Sequence, residues 1–473
     1  MNALSASVVG FDITPRFDPQ CGAWGTSSFM TELDMPLMAR CVAMEQGGRR
    51  LFWYGCDLIG ERIPDTHAMR DEIADGLGVT RDQIVWSTSQ THSSGALPGS
   101  GVTGSRSADL SKQNPAFAAA ERDRFFSAVI GAGREAIACL QPVKLRAGRG
   151  HCDSISYNRR LPMPTGGNKF SRSYAEGLQS GNFFDPAIGL LRFDDRHGKP
   201  LGLIFNFCAH PATMIQGKWI SPDWVGTARQ VIEEALGAPA MFVQGFCGDV
   251  NCYHIFGTPD QARRTGERLG KAAVEALPSL IPARGEPLDF RYENVALRCR
   301  EMYTEAELDR EIAMREAYVA ELEHDPGATW VGGYNVPEQF GTDVRADGAR
   351  RQIEFLNRAR RMVESGELPP AELSLPIGAI RVGDVGVLLS VGENFTMTGH
   401  RIRLRSPLVH TLICGDTNGV FGYIGDDEAI DRGGYETEWK TDWGDGLRLP
   451  PAKGTADRII DRAVELLESL CAS

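Results

Sequence analysis

In this sequence, short apolar runs repeatedly end at a histidine, a carboxylate or a glycine turn with polar side chains. Such runs are typical of buried β-strands, and in open α/β sheets ligands bind beyond the carboxyl ends of the strands. The arrangement therefore predicts a site assembled from segments that are far apart along the chain. The candidate residues placed in this way are Gln90 and His92 after Ile84–Thr88, His210 after Gly202–Cys208, Asn251 after Ala240–Gln244, and Glu393 after Val385–Ser390.

Five further apolar runs predict strands, and four longer stretches between them have helical periodicity. Strands that alternate with helices favour an α/β architecture, with mixed sheets layered with helices. Neither an internal repeat nor a low-complexity linker divides residues 1–473, so we expect a single domain. The further predicted strands are Ser7–Phe11, Leu51–Cys56, Ile188–Phe193, Ile377–Arg381 and Val409–Cys414, and the predicted helices are Asp65–Leu77, Ala116–Leu140, Thr227–Leu236 and Pro259–Leu277.

Residues 300–370 depart from this pattern, because two long, charged, helical stretches, Glu301–His324 and Arg345–Glu367, follow one another there. We expect an inserted helical hairpin. Its connecting loop holds Trp330, Tyr334 and Phe340. The hairpin is either a solvated decoration or a lid or dimer arm whose aromatic tip covers the site. The last helical stretch, Gly454–Leu470, is expected to pack on a sheet.

Composition excludes several classes of function. The net charge of −12 argues against nucleic acid as a partner, since binding phosphates needs a basic surface. No run of about 18 apolar residues is present, so we expect no membrane span. The chain starts without a recognisable secretion signal, and its 11 cysteines are scattered without a CxxC pair. These features predict a cytoplasmic protein with reduced thiols, and a homo-oligomer stays possible.

Each candidate residue also has a purely structural interpretation. A histidine at the end of a strand is often only hydrogen-bonded. Asp223 can cap the helix that follows it or orient His210. Turn chemistry alone would account for Asp249 and Asn251, and Glu393 can cap a helix.

Taken in order, these segments resemble the catalytic domain of the neutral (alkaline, non-lysosomal) ceramidase family. The similarity covers almost all of the chain apart from the helical hairpin. The matching motifs are THSSG at Thr91–Gly95, Asn158–Arg159, Asp185–Pro186, the strand that ends at His210, ISPDWVG at Ile220–Gly226, GDVN at Gly248–Asn251, Val391–Arg403, and the pair Tyr423 and Tyr435.

The resemblance implies a zinc hydrolase, with His210, Glu393 and Tyr435 as metal ligands. It also implies that Tyr423 lies near the reacting carbonyl and that Arg159 is the site arginine. Gln90 stands where the family has its first ligating histidine. Either His92 moves to the metal, or Gln90 binds through its oxygen, or another divalent metal binds more weakly, or the site is metal-free.

The resulting hypothesis is hydrolysis of an amide or ester bond by a metal-activated water. We expect a small soluble substrate, because the sequence shows no secretion signal and no C-terminal immunoglobulin-like domain. His92 or a metal-bound carboxylate would shuttle the proton, while Tyr423 and Arg159 stabilise the oxyanion. Arg159 or Arg160 could instead clamp a substrate carboxylate, and Asn251 and Asp223 are further candidates for substrate binding.

Two other functions stay open at this stage. One is a metal-dependent isomerase or lyase that uses Tyr423 as acid and base. The other is a ligand-binding homologue without catalytic activity.

Overall fold

The apolar runs of the sequence form three sheets that share one core. The computed structural model describes residues 3–17, 30–94, 114–164, 167–215, 217–331, 334–336, 341–439 and 449–472. Gly95 and Phe340 lie outside the described residues, as does the side chain of Tyr334.

The first sheet contains the strand that precedes Gln90 and His92. Its strands lie in the order Ile84–Thr88, Arg49–Cys56, Met38–Gln46, Ser5–Asp12 and Gln141–Pro142. Ile84–Thr88 pairs in parallel with Arg49–Cys56, and the next two pairings are antiparallel. One face packs on the helices Ile63–Leu77 and Pro115–Ala138.

The second sheet carries the strand that ends before His210. Its order is Ala240–Gln244, Pro200–Phe207, Ala187–Asp194, Lys144–His151 and Ile281–Ala283. Pro200–Phe207 and Ala240–Gln244 are parallel, so both deliver their carboxyl ends to the same edge. The helices Trp224–Leu236 and Pro259–Ala276 cover the outer face.

The third sheet carries the strand that ends before Glu393. Its order is Leu288–Arg298, Glu372–Val382, Val385–Ser390 and His410–Cys414, with the last two strands parallel. The helices Thr396–Arg405 and Thr455–Cys471 cover its outer face, so the last helix packs on a sheet as expected.

The inner faces of all three sheets meet in a single apolar cluster. Trp53 comes from the first sheet, Phe193 from the second and Leu389 from the third, and each is at most 1% exposed. Because the sheets are fixed against one another through this cluster, the carboxyl ends of their parallel strands are held close together.

The remaining elements are shorter or lie outside the three sheets. Two long helices, Glu305–His324 and Gly341–Ser365, pack against each other where the hairpin was predicted. Short two-stranded ladders pair Arg160–Pro162 with Asn168–Phe170, Ser156–Asn158 with Val250–Cys252, Glu32–Leu33 with Trp219–Ile220, Trp330–Val331 with Tyr334–Asn335, and Gly392–Asn394 with Gly422–Ile424. Tyr174–Ser180 and Asp427–Arg432 are short α-helices, Arg81–Gln83 and Leu277–Ser279 are 3₁₀ turns, and Tyr435–Trp439 is a π-helical turn.

The predicted α/β class is confirmed. The predicted strands and helices are found within a few residues of their expected bounds. Ten cysteines of the described residues are free, and eight of these are buried. No helix in the described part of the chain has both the length and the apolarity needed to cross a bilayer.

The crossing of the two helices on the second sheet depends on Gly266. A Cβ atom there would overlap the backbone oxygen of Trp224, whereas a Cβ atom at Gly131, an exposed helical glycine, would meet nothing within 4 Å. We expect Gly266→Ala to lower the free energy of unfolding by about 1–3 kcal/mol. Gly131→Ala should raise it by up to about 1 kcal/mol through helix propensity. Thermal unfolding of both variants is the measurement, and equal midpoints would contradict the close-packing argument.

Candidate active site

The strand ends meet around Gln244, whose side chain and backbone together join all three sheets. Its amide donates to the carbonyl oxygens of Ser89 at 3.1 Å and Ala209 at 2.9 Å, one after each of the first two sheets' strands. Its backbone carbonyl accepts from the Gly415 amide at 3.0 Å, which follows the edge strand of the third sheet. The segments that carry Gln90, His210 and the loop after Cys414 are therefore fixed against each other.

His210 and Glu393 form the centre of the site. His210 Nε2 lies 3.2 Å from Glu393 Oε2, and both side chains are 2% exposed. His210 Nδ1 lies 2.9 Å from the carbonyl oxygen of Val250. A carbonyl only accepts, so Nδ1 carries a proton, and in a neutral ring Nε2 turns its lone pair to the carboxylate.

Burial and the nearby Arg159 lower the pKa of His210. Burial raises the pKa of Glu393, but the contact with His210 outweighs this and leaves the pKa below its ordinary value. With the Val250 carbonyl holding a proton on Nδ1, Nε2 of a neutral ring and the carboxylate of Glu393 are both acceptors, 3.2 Å apart. The geometry calls for a cation or a proton between them.

Arg159 lies beside this pair and is 3% exposed. Its Nη1 is 3.5 Å from His210 Nε2 and donates to Asn251 Oδ1 at 3.2 Å, and its Nη2 donates to the Gly248 carbonyl oxygen at 2.7 Å. The guanidinium also bonds Tyr423 and lies over the rings of Phe170, Tyr423 and Tyr435. Burial alone would lower the pKa of Arg159, but Tyr423 and Glu436 raise it, so the cation is permanent.

Arg160 points away from this centre. Its guanidinium donates to Glu436 and to the carbonyl oxygens of Ala429 and Gly433. These contacts tie it to the segment that carries Tyr435.

The two tyrosines occupy different positions. Glu393 and Tyr423 are direct partners in the parallel ladder between Gly392–Asn394 and Gly422–Ile424. Tyr423 is 8% exposed, and its ring centroid lies 6.4 Å from that of His210. Burial and the charge of Glu393 raise the pKa of Tyr423 well above its ordinary value. The Tyr435 ring lies 5.8 Å from that of Tyr423 and 5.2 Å from that of Phe170.

Gln90 lies behind Glu393, with a left-handed backbone at φ 63°. Its side-chain oxygen accepts from the Cys247 thiol at 3.5 Å, and its amide nitrogen donates to Glu393. Asp416 is also buried nearby, and its carboxylate oxygens hydrogen-bond none of the described residues. Burial, reinforced by Glu393, raises the pKa of Asp416 well above its ordinary value.

Asp223 is placed as a helix cap. Its carboxylate accepts from the backbone amides of Trp224 at 2.7 Å and Met214 at 3.0 Å. Burial raises its pKa to about 6. Asp223 thus holds the loop after His210 in place, and it is absent from the lining of the pocket described next.

A pocket of about 460 Å³, part of it open to solvent, lies in front of His210. His92 forms part of its wall, with its ring centroid 6.0 Å from that of His210. The described residues that line it are mainly apolar or aromatic around a polar end: His92, Arg159, Phe170, His210, Ala212, Ile215, Asn251, Ile255, Phe256, Tyr423 and Tyr435.

The structure thus brings His92, Arg159, His210, Asn251, Tyr423 and Tyr435 to one pocket, with Glu393 against His210. Gln90, Arg160 and Asp223 lie around it rather than on its wall. Sequence reasoning missed Glu436 and Asp416. Two consecutive buried arginines require a buried acid, and the glutamate directly after Tyr435 was the available signal.

Among the described residues, no group of three or more His, Cys, Asp or Glu side chains is placed to hold a metal ion. His210 and Glu393 are two such residues in contact, and Tyr423 and Gln90 are neighbours of Glu393.

Two solved structures share this architecture over 99% of the present chain and 75% of their own. One is a ceramidase complexed with C2, with a TM-score of 0.67, and the other is the neutral ceramidase from Pseudomonas aeruginosa, with a TM-score of 0.65. The chain has the neutral ceramidase fold. Both neighbours are 20% identical to it in sequence. No protein-family model and no curated protein matches the sequence. The predicted resemblance is therefore confirmed as a resemblance of fold.

Within the ceramidase fold, the protonation of His210 can be tested directly. We expect Nδ1 to carry the proton and Nε2 to be free of one, because the Val250 carbonyl fixes the tautomer. Nitrogen NMR on histidine-labelled protein reports the two ring nitrogens separately, and His210→Ala assigns the signals. A proton on Nε2 alone would contradict the acceptor pair.

Proposed function

We propose that this protein hydrolyses an amide or ester bond in a small substrate that enters the pocket in front of His210. The acceptor pair of His210 Nε2 and Glu393 Oε2, 3.2 Å apart, carries the proposal. It lies next to a permanent cation, Arg159, and two tyrosines, in a pocket that is otherwise largely apolar. Buried donors fixed around a reacting carbonyl are what acyl transfer requires.

The residues present fit a divalent cation. A metal-ligating histidine commonly donates its second ring nitrogen to a backbone carbonyl, as His210 does to Val250. Two acceptors at van der Waals distance are satisfied when a cation binds both. Zinc is our first choice, since it accepts nitrogen and oxygen ligands, and another divalent metal is the second. When bound, it would acidify a water molecule and polarise the substrate carbonyl.

We assign the ligand tyrosine differently from the expectation drawn from the family motif. Tyr423 stands opposite Glu393 in the ladder and is buried, whereas Tyr435 lies one ring further out, near Phe170. We therefore propose His210, Glu393 and Tyr423 as the metal-binding set, with Tyr435 turned to the substrate. Gln90 uses its amide nitrogen on Glu393 and its oxygen on Cys247, so a fourth protein ligand from Gln90 would require its amide to turn over.

Side chains on the pocket wall have the remaining roles. Arg159 and Tyr435 stabilise the oxyanion that forms when water adds to the carbonyl carbon. His92 takes a proton from the attacking water and gives it to the leaving amine or alcohol as the C–N or C–O single bond to the carbonyl carbon breaks. Asn251 holds Arg159 Nη1 at 3.2 Å and so directs it to this region.

The pocket favours an uncharged substrate group. The donors of Arg159 are used by Glu436, Asn251, Gly248 and Tyr423, and those of Arg160 by Glu436 and two carbonyls. No parallel pair of donors is then left to clamp a substrate carboxylate, so we assign Arg159 to the oxyanion, on which it acts through its charge and the Nη1 group. Ile215, Ile255 and Phe256 would contact an apolar part of the substrate.

The free cysteines suit a reducing compartment, so we propose a cytoplasmic location.

A substrate screen tests the proposed activity. Amides and esters with neutral acyl groups are assayed with purified protein before and after chelation, and the bound metal is measured. We expect turnover of neutral amides or esters that chelation removes and that one divalent metal restores. Absence of hydrolysis across the panel with stoichiometric metal bound would overturn the proposal.

Glu393→Gln tests the centre of the site. The amide removes the negative charge that faces His210, so we expect metal content to fall well below stoichiometric and kcat to fall at least about 100-fold. Glu267→Gln, on an exposed helix face, is the control and should leave both unchanged. Full activity in Glu393→Gln would refute its role as a ligand.

Gln90→His tests whether a side chain at position 90 can reach the metal. An imidazole is a better zinc ligand than an amide, so zinc affinity should rise at least about tenfold. Competition with a chromophoric chelator measures this without any substrate. Adding His210→Ala to Gln90→His should remove the gain, and an unchanged affinity in the single variant would show that position 90 does not reach the metal.

A further inference from the structure

Glu436 is a buried acid that lies between two buried arginines. Its side chain is 0% exposed, while those of Arg159 and Arg160 are 4% and 7% exposed. Glu436 Oε1 accepts from Arg159 Nε at 2.8 Å, and Oε2 accepts from Arg160 Nη1. Each carboxylate oxygen thus holds a different arginine.

The contact with Arg159 determines the direction of its guanidinium. With Nε on Glu436 and Nη2 on the Gly248 carbonyl, the planar group is fixed on two sides. Its remaining nitrogen, Nη1, is then directed at His210 Nε2 and Asn251 Oδ1. Arginine presents its donors in a rigid plane, so fixing two nitrogens fixes the third.

The contact with Arg160 anchors the segment that supplies Tyr435. Arg160 also donates to the carbonyl oxygens of Ala429 and Gly433, which lie just before the π-helical turn Tyr435–Trp439. Turns of this kind occur frequently at functional sites. Glu436 therefore joins the Tyr435 segment to the strand Arg160–Pro162 through a single side chain.

Electrostatics supports the same assignment. Two adjacent guanidinium groups removed from water repel each other and are strongly destabilising without a partner. Burial raises the pKa of Glu436, but Arg160 and Arg159 outweigh this and leave it lowered, so the carboxylate is ionised. Arg159, Arg160 and Glu436 together carry one net positive charge, and Arg159 is the member of the three that lines the pocket.

We propose that Glu436 is a positioning residue of the hydrolytic site: it aims Arg159 at the reacting carbonyl and couples that aim to the placement of Tyr435. This inference rests on the proposed function. Removing a group that orients the ligands of a metal site commonly costs about 10–100-fold in activity, and we expect an effect of similar size here.

The test compares Glu436→Gln with Asp57→Asn. Asp57 pairs with Arg229 at 2.8 Å with side chains 3% and 6% exposed, so it is an equally buried arginine–carboxylate pair away from the pocket. We expect Glu436→Gln to lower kcat at least about tenfold, with KM within about threefold, on a substrate found in the screen. Asp57→Asn should lower the unfolding midpoint but keep kcat of the folded protein within about twofold.

Glu436→Asp keeps the charge but is too short to reach both arginines, so it remains informative if Glu436→Gln does not fold. It should lose kcat in the same way. An unchanged kcat in either Glu436 variant, or an equal loss in Asp57→Asn, would overturn the positioning role.

A crystal structure of Glu436→Asp separates this inference from the proposed function. We expect the Arg159 guanidinium to leave Asn251 Oδ1, whether or not any substrate is hydrolysed. If the guanidinium keeps its place, the inference fails even if hydrolysis is confirmed. If it moves and no substrate is found, only the proposed function fails.

Discussion

The site depends most on the hydrogen bonds that Gln244 makes. It lies at the point where strand ends from three sheets meet, and its amide and backbone bond segments from each of them. An amide buried at such a junction is strongly destabilising unless its donors are satisfied, and here the partners are backbone carbonyls of neighbouring strand ends. The apolar cluster sets the distance between the sheets, while Gln244 fixes the positions of their strand ends relative to one another. The side chains of the pocket that follow these strand ends are therefore held in fixed positions.

This scaffold allows an unusual concentration of polar groups in the interior. Six polar side chains with almost no exposure lie within one region: Arg159, Arg160, His210, Glu393, Tyr423 and Glu436. Each charge has a hydrogen-bond partner: Glu393 accepts from the Gln90 amide, and Arg159 and Arg160 share Glu436. The short ladders at Arg160–Pro162 and Gly392–Asn394 bring these partners together from segments more than 180 residues apart. Tertiary structure therefore supplies the charge balance that no local segment has.

The sequence allowed the strand-end residues to be predicted because apolar runs are local signals. His210 and Glu393 follow strands with six consecutive buried residues, and that position together with the family motifs made both of them candidates. Strands with one exposed face were missed. Lys144–His151 and Leu288–Arg298 interleave charged residues with apolar ones, and their apolar faces become evident only when a sheet packs on them. Glu436 was missed for a different reason. Its importance arises from contacts with residues 276 and 277 positions away, which no periodicity encodes.

Gln90 and its neighbours determine how charge is distributed behind the carboxylate of Glu393. The Cys247 thiol donates to the Gln90 oxygen, and the Gln90 amide donates to Glu393, so a chain of neutral donors supports the carboxylate from behind. Asp416, on the same side, has its pKa raised by burial and by Glu393, which disfavours a second negative charge there. The negative charge is thereby concentrated on Glu393, on the side that faces His210 and Tyr423. In the function proposed above, a cation would be held on the pocket side of Glu393, where the substrate carbonyl would also meet Arg159. Gln90 thus supports Glu393 from the side away from His210 and leaves the acceptor pair intact.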